Sequence, residues 1–161
     1  MVLIRKATEK DVESVYLLFL DLVDAEDKIL KAISPHLMKT RIRKKNFKNQ
    51  AEKEIKKEIH KKNSLLLVAV QEKQIIGYGV GAFIKKKDPL FEEHMRGFVY
   101  TLVVKKEYQR QGISTKLHEK LLNWLKRNKC DLIFIGLFAE NPSNEIYRKW
   151  GYKDYNVDMV K

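Results

Sequence analysis

The chain is poor in residues that cross-link a fold and has no long apolar run. Its 161 residues include one cysteine, Cys130, three prolines and four histidines. One cysteine cannot form a disulfide within the chain, and the histidines show no ligand spacing with it, so we expect no structural metal. No apolar run approaches the roughly 20 residues that span a bilayer, and charges from Arg5 onward interrupt any signal-peptide core. We therefore expect a cytoplasmic protein without a membrane contact.

The sequence also shows no internal repeat, linker or low-complexity tail. Hydrophobic residues make up 44% of the chain and aromatic residues 10%, which is enough to fill one core. A chain of this length suits one folding unit. We expect a single domain over residues 1–161.

Positive charge is concentrated in one place. The net charge is +12, and residues 39–62, here called the basic segment, hold 11 Lys or Arg against 3 Glu and so contribute +8 of it. Such a surplus indicates a polyanionic partner, or else a solvated surface of the kind seen in proteins of heat-loving organisms. Phe47 is the only aromatic residue in the segment, whereas sites that stack nucleic-acid bases interleave several.

Hydrophobic periodicity changes between helical and extended along the chain. Thr8 is placed to cap the first helix. Gly77, Gly79 and Gly81 leave one face of a strand bare, which suits close approach of another backbone or a ligand. The predicted elements are a strand at 3–5, helices at 8–23 and 49–61, a hairpin of strands at 65–70 and 75–84, a strand at 98–104, a helix ending near 128, a strand at 131–138, a short helix around 146–147 and a last strand at 155–160.

The loop after the strand at 98–104 is the most informative segment. It reads Gln109-Arg110-Gln111-Gly112-Ile113-Ser114 and leads directly into a helix. Such a loop points consecutive backbone N–H groups outward at a helix N-terminus, where the helix dipole also favours an anion such as pyrophosphate. The segment resembles motif A of the GNAT-type acetyl-CoA-dependent N-acyltransferases, with Ser114 where Gly or Ala is usual.

A second motif and the order of the elements extend this resemblance over the whole chain. Tyr147-Arg-Lys-Trp-Gly151-Tyr152 resembles motif B of the same family, in which a helix tyrosine precedes a Gly-aromatic pair. The resemblance implies an α/β protein with the GNAT fold, a central mixed twisted sheet of about 6–7 strands flanked by about four helices. The strand at 98–104 and the strand at 131–138 are expected to be parallel and joined by a right-handed crossover.

The resemblance implies acetyl-CoA as co-substrate and no metal. The pantetheine arm is expected along the strand that ends at residue 104, and the pyrophosphate on the N–H groups of residues 111–115, with Arg110 adding charge. Asn141 lies six residues before Tyr147, where seven is common in the family. The expected cofactor-binding residues are Leu102, Val103, Val104, Gln109, Arg110, Gln111, Gly112, Ile113, Ser114, Thr115, Asn141 and Tyr147.

The expected chemistry is direct attack of an amine on a thioester. Tyr147 is the candidate general acid, because a phenol of pKa about 10 can protonate a thiolate of pKa about 8.5 only when it sits on the sulfur. The strand at 98–104 lacks the Glu that some family members use as base, and the local candidates for that role are Glu92, Glu93, His94 and Tyr100. Cys130 is interpreted as a small buried apolar residue.

The sequence thus predicts an N-acetyltransferase that modifies a primary amine of a small molecule, peptide or protein. By the resemblance, the basic segment and residues 85–96 line the acceptor pocket, and a basic rim favours acceptors with carboxylate or phosphate groups. Two alternatives stay open: a nucleic-acid or ribosome-binding protein on the same scaffold, and a CoA-binding member without turnover. Monomer and homodimer are equally compatible with the sequence.

Overall fold

Five strands form one mixed sheet in the order of the sequence. In the computed structural model, which describes residues 1–156, 158 and 159, neighbouring strands from β1 to β4 are antiparallel and β5 lies parallel to β4. The elements are β1 (Leu3–Lys6), α1 (Val12–Ile33), α2 (Phe47–His60), β2 (Ser64–Gln71), β3 (Gln74–Lys86), β4 (His94–Val104), α3 (Ile113–Arg127), β5 (Leu132–Ile135) and α4 (Asn144–Lys149). Short 3-10 helices occupy Glu9–Asp11, Pro35–Arg41 and Lys106–Tyr108.

Helices cover both faces of this sheet. On one face, Leu67 and Ala69 of β2 pack in the same cluster as Leu117 and Leu121 of α3. On the other face, the alternate β2 residues pack in a cluster with the apolar stripe of α1 and with Ile59 of α2. Because β2 is buried on both faces, its sequence is a continuous apolar run rather than an alternating one.

The start of α1 is fixed by a buried carboxylate. Asp11 accepts hydrogen bonds from both terminal nitrogens of Arg5, at 2.7 and 2.8 Å, and from the Thr8 N–H at 2.7 Å. The hydrogen bonds from Arg5, opposed by burial and assisted by Thr8, lower the pKa of Asp11 to about 2. The predicted cap at Thr8 is therefore confirmed in place, with Asp11 supplying the acceptor.

Several element ends differ from the sequence-based expectation. The first helix continues to Ile33 and ends at the Ser34-Pro35 pair, because its apolar stripe persists through Leu30, which is buried. The sheet has five strands among the described residues rather than 6–7. Of the last predicted strand, residues 155, 156, 158 and 159 are not in a strand, and its other members lie outside the described residues.

The glycines of β3 leave room for the main chain of β4 and for a side chain of α3. A Cβ on Gly77 would lie 2.7 Å from the Val103 carbonyl oxygen, and a Cβ on Gly79 would lie 3.2 Å from Leu121 of α3. The bare face of β3 thus allows α3 and β4 to approach closely, and the backbone alternative of the prediction is confirmed at Gly77.

We expect Gly77→Ala to destabilise the protein by about 1–3 kcal/mol, because the new methyl group would contact main-chain oxygen that cannot move aside. Gly136→Ala is the matched control, since a Cβ there meets nothing within 4 Å. The urea midpoints of both variants give the measurement. Equal midpoints would contradict the close packing of β3 against β4.

Candidate active site

The two parallel strands separate partway along the sheet. Pairing runs from Arg96 opposite Leu132 to Val99 opposite Ile135, where β5 ends, while β4 continues to Val104. A bulge lies at the same level, since Val80 pairs with Thr101 and Gly81 with Val99, which leaves Tyr100 as the extra residue. The edge of β4 beyond Val99 therefore has no strand beside it in the described part of the chain.

Main-chain alternation decides which groups of β4 face this gap. The Lys105 N–H donates to Ile76 of β3 at 2.9 Å, so Val103, two residues earlier, also directs its main chain toward β3. Leu102 and Val104 direct theirs into the gap. Val103 therefore directs its main-chain groups away from the gap. The Val104 carbonyl already accepts a hydrogen bond from Gln109 Nε2 at 2.9 Å, which ties the following loop to the strand end.

The loop at residues 109–115, here called the anion loop, presents free donors. Gly112 adopts φ 74° and Arg110 φ 64°, and a Cβ on Gly112 would meet nothing within 4 Å, so the space above the loop is open. The first helical bond of α3 runs from Lys116 N–H to Gly112 O at 3.1 Å. Within the described residues, none of the N–H groups at 111–115 donates to a protein acceptor.

The first turn of α3 adds nothing that would repel an anion. It contains no acidic residue. Ile113 is buried in the core and anchors the loop, whereas Gln109, Arg110 and Gln111 are exposed and Ser114 and Thr115 are half-buried. Free N–H groups, a positive helix end and a small residue at Ser114 together fit the pyrophosphate of a nucleotide cofactor.

A cluster of aromatic rings joins α4 to α3. The ring of Tyr147 is buried and lies edge-on to Trp150 at 5.4 Å and to Tyr152 at 6.0 Å between centroids. His118 of α3 stacks on Trp150 at 4.2 Å, and its Nε2 is hydrogen-bonded to the Tyr152 hydroxyl at 2.9 Å. These contacts hold α4 against the helix that begins at the anion loop.

Burial sets the protonation of this cluster. It raises the pKa of the Tyr147 hydroxyl, raises that of Tyr152 to about 12 and lowers that of His118 to about 4. All three groups are therefore neutral at pH 7. The Tyr147 hydroxyl has no hydrogen-bond partner among the described residues.

Asn141 is engaged in local structure. Its Oδ1 accepts the N–H of Ser143 at 2.9 Å in the turn that precedes α4. The side-chain Nδ2 makes no hydrogen bond within the described residues. The Nδ2 group is therefore free to donate in the cofactor contact that was predicted for Asn141.

The candidates for a general base lie in different surroundings. Glu93 forms an ion pair with Lys85, and His94 Nε2 accepts a hydrogen bond from Arg96 at 2.8 Å. Glu92 is exposed. Tyr100, at the bulge, is 57% exposed and is the one candidate that lines the cavity described next.

A cleft of about 580 Å³ lies between α1, α2 and the strands β3 and β4, and is called here the α1–α2 cleft. Tyr100 and Thr101 of β4 form its wall at the bulge. Its apolar surface includes Phe19, Phe47, Ile55, Tyr78, Val80 and Ile84. Its polar lining consists of Gln50, Glu54, Glu58, Lys61 and Asn63.

The basic segment contributes to this cleft through α2, but not with a basic rim. Arg41 forms ion pairs with Glu26 and Asp27 of α1, and Arg43 with Asp24 and Asp27. Among the described residues of the lining, Lys61 is the only basic one, and none belongs to residues 85–96. Among its described lining residues the α1–α2 cleft therefore shows no basic rim, because much of the positive charge of the basic segment is paired or faces the solvent.

Comparison with protein families decides the assignment of the chain. A family model described as an acetyltransferase (GNAT) domain matches residues 24–161. The chain belongs to the GNAT acetyltransferase family. A curated relative of this acetyltransferase is N-alpha-acetyltransferase 30 of Saccharomyces cerevisiae, which is 30% identical over 74 residues. That match covers 45% of this chain and 42% of the relative, so it spans less than half of either protein.

Solved structures show the same fold over the full length. A mutant of the BH1408 protein of Bacillus halodurans matches this acetyltransferase with a TM-score of 0.84 at 20% identity, covering 99% of this chain and 98% of that one. Aminoglycoside N-acetyltransferase AAC(6')-Iy, solved in complex with CoA, matches with a TM-score of 0.73 at 12% identity, covering 100% and 93%. The predicted GNAT fold is thus confirmed.

Two further observations concern metals and membranes. Residues 1–156 and 158–159 of the acetyltransferase hold no group of three His, Cys, Asp or Glu side chains placed to bind a metal ion. The same residues include no helix that is both long and apolar enough to cross a membrane.

Sequence reasoning missed the role of His118 in this site. Its position, one residue after Leu117 on the buried side of α3, was a usable signal, because a histidine in an apolar stripe needs a polar partner. The partner, Tyr152, lies 34 residues further along the chain. Such a pairing is set by tertiary packing and has no local pattern.

We expect acid to destabilise the acetyltransferase through His118. Its pKa is about 4 in the folded protein against an ordinary 6.5, so the unfolded state binds a proton first. The stability linked to the neutral imidazole is complete above pH 6.5 and lost as the pH falls toward 4, by about 3 kcal/mol in total. Urea midpoints across this pH range should fall more steeply for the wild type than for His118→Gln.

The exposed His36 provides the matched control as His36→Gln, which also removes one imidazole. A slope that is the same in wild type and His118→Gln would show that His118 is not held neutral by its burial.

Proposed function

We propose that this GNAT protein is an acetyl-CoA-dependent N-acetyltransferase whose single domain over residues 1–161 acetylates a primary amine in a ternary complex. The observation that carries the proposal is the continuity between the free N–H groups of the anion loop and the unpaired edge of β4. The CoA complex of AAC(6')-Iy supports the cofactor. The match to N-alpha-acetyltransferase 30 supports a peptide α-amine among the acceptors.

In this proposal the cofactor is held mainly by the main chain. The N–H groups of residues 111–115 bind the pyrophosphate, and Arg110, which is exposed beside them, adds a charge-assisted contact. The main-chain groups of Leu102 and the N–H of Val104 pair with the amides of the pantetheine arm. Gln109 holds the loop on the strand end, and Asn141 Nδ2 donates to the arm.

Bound acetyl-CoA supplies the acetyl group as a thioester. The amine nitrogen forms a bond to the acetyl carbon, the carbon–sulfur bond breaks, and the sulfur takes a proton. Tyr147 donates that proton, because its raised pKa keeps its hydroxyl protonated at neutral pH. The ammonium form of the acceptor loses its proton first, and Tyr100, which lines the cleft, relays it through water.

Binding and turnover can be tested separately. Calorimetry with CoA is expected to detect binding, and thiol release from acetyl-CoA is expected to depend on an added amine. Binding of CoA without thiol release for any amine would favour the binding-only alternative. Nucleic-acid affinity that falls steeply with salt, together with no heat from CoA, would favour a nucleic-acid-binding protein instead. The cytoplasmic location stays a prediction.

We expect Ser114→Asp to raise the Kd for CoA at least tenfold, because a carboxylate in the first turn of α3 would repel the pyrophosphate. The same carboxylate favours the helix N-terminus, so the stability should not fall. Asn123→Asp, on the exposed middle of α3, is the control for the charge change alone. A CoA affinity unchanged by Ser114→Asp in calorimetry would remove the anion loop from its proposed role.

We expect Tyr147→Phe to lower kcat about 100-fold, because the thiolate loses its proton donor while the packing of the ring is kept. The KM for acetyl-CoA should change little. Tyr155→Phe is the control, since Tyr155 is 77% exposed and contacts Phe134 rather than α4. Full activity of Tyr147→Phe in a thiol-release assay would assign the proton to another group.

A further inference from the structure

We infer that the acceptor of this enzyme is a primary amine carried on an aliphatic or aromatic body, which is bound in the α1–α2 cleft. This inference rests on the proposed N-acetyltransferase function. The cleft has the volume of small-molecule sites in proteins, about 580 Å³. It reaches Tyr100 and Thr101 at the bulge, directly before the strand edge assigned to the pantetheine arm.

The surface of the cleft is mainly apolar. Phe19 of α1 stacks on Phe47 of α2 at 6.2 Å, and the sheet contributes Tyr78 and Val80, both buried. An apolar body that replaces water over the half-buried rings of Phe19 and Phe47 gains free energy in proportion to the area it covers. The floor of the cleft therefore selects for hydrocarbon.

Four of the polar side chains that line the cleft are engaged with other protein groups. Glu58 forms an ion pair with Lys61 at 2.9 Å, and Glu54 pairs with Lys57 at 2.6 Å. Asn63 Nδ2 donates to the Phe83 carbonyl at 2.8 Å. A polyhydroxylated amine would leave most of its hydroxyl groups without partners in this cleft, which costs free energy for each group.

Charge does not oppose this selection. The lining holds two carboxylates and one ammonium group, and each carboxylate is paired with a lysine. A paired rim offers no strong attraction to an acidic acceptor and none to a polyamine. Apolar contact therefore influences the choice of acceptor more than charge does.

The apolar surface continues past the cleft along β4. The Tyr100 ring stacks on Phe98 at 5.6 Å, and Phe98 stacks on Phe134 of β5 at 5.5 Å. Arg96 lies over the Phe134 ring at 5.4 Å. An acceptor longer than the cleft thus meets further aromatic surface, which suits an alkyl or aromatic chain or an apolar peptide.

The test compares primary amines at saturating acetyl-CoA by thiol release. The panel contains 2-phenylethylamine, octylamine, spermidine, glucosamine and a glutamate-rich peptide with a free α-amine. We expect kcat/KM for 2-phenylethylamine and octylamine to exceed that for glucosamine, spermidine and the acidic peptide by at least about tenfold. A preference for glucosamine, spermidine or the acidic peptide would overturn the inference while leaving the proposed function intact.

A cavity-filling variant locates the acceptor. Ala51 of α2 lines the cleft, so Ala51→Trp is expected to raise the KM for 2-phenylethylamine at least tenfold and to leave the Kd for CoA unchanged. Ala25→Trp places the same ring on the exposed side of α1, outside the lining, and should change neither constant. An unchanged KM in Ala51→Trp would overturn the assignment of the acceptor to this cleft. If thiol release were the same with and without an added amine, both the proposed function and this inference would be overturned.

Discussion

The rest of the site depends on the hydrogen-bond ladder between β4 and β5, which ends before β4 does. Beyond Val99, the outer edge of β4 has no neighbouring strand in the described chain, although a strand in a sheet interior pairs all its main-chain groups. Leu102 and Val104 thus direct polar groups into a gap that a ligand with amide groups can fill. The bulge at Tyr100 lies where the pairing of β4 with β5 ends. The anion loop begins five residues after the end of β4.

The parts of the fold that the sequence predicts are those set by local chemistry. The hairpin of β2 and β3, the loop around Gly112 and the helix after it follow from apolar runs, a turn and a glycine at positive φ. The lengths of β5, which is shorter than predicted, and of α1, which is longer, do not follow from these local patterns. The ends of strands and helices depend on what packs against them. The order of the elements was recoverable, whereas their exact lengths were not.

The α1–α2 cleft, which is the proposed acceptor site, shows a different limit of sequence reasoning. Eight units of net charge in the basic segment suggested a basic rim. In the fold, Arg41 and Arg43 pair with three carboxylates of α1, and α2 turns Phe47, Ile55 and Ala51 toward the cleft. The net charge of a segment does not show which way its side chains point, so it could not predict which of them line the cleft.

The hydrogen bond between His118 and Tyr152 has a mechanical consequence. The helix that starts at the anion loop carries His118 five residues after Ile113, and His118 is bonded to the segment that follows α4. The anion loop and the Tyr147 phenol, proposed here as the pyrophosphate site and the proton donor, are consequently linked through packed contacts and not only through the chain between them. The distance between these two groups sets the length of a ligand that could engage both.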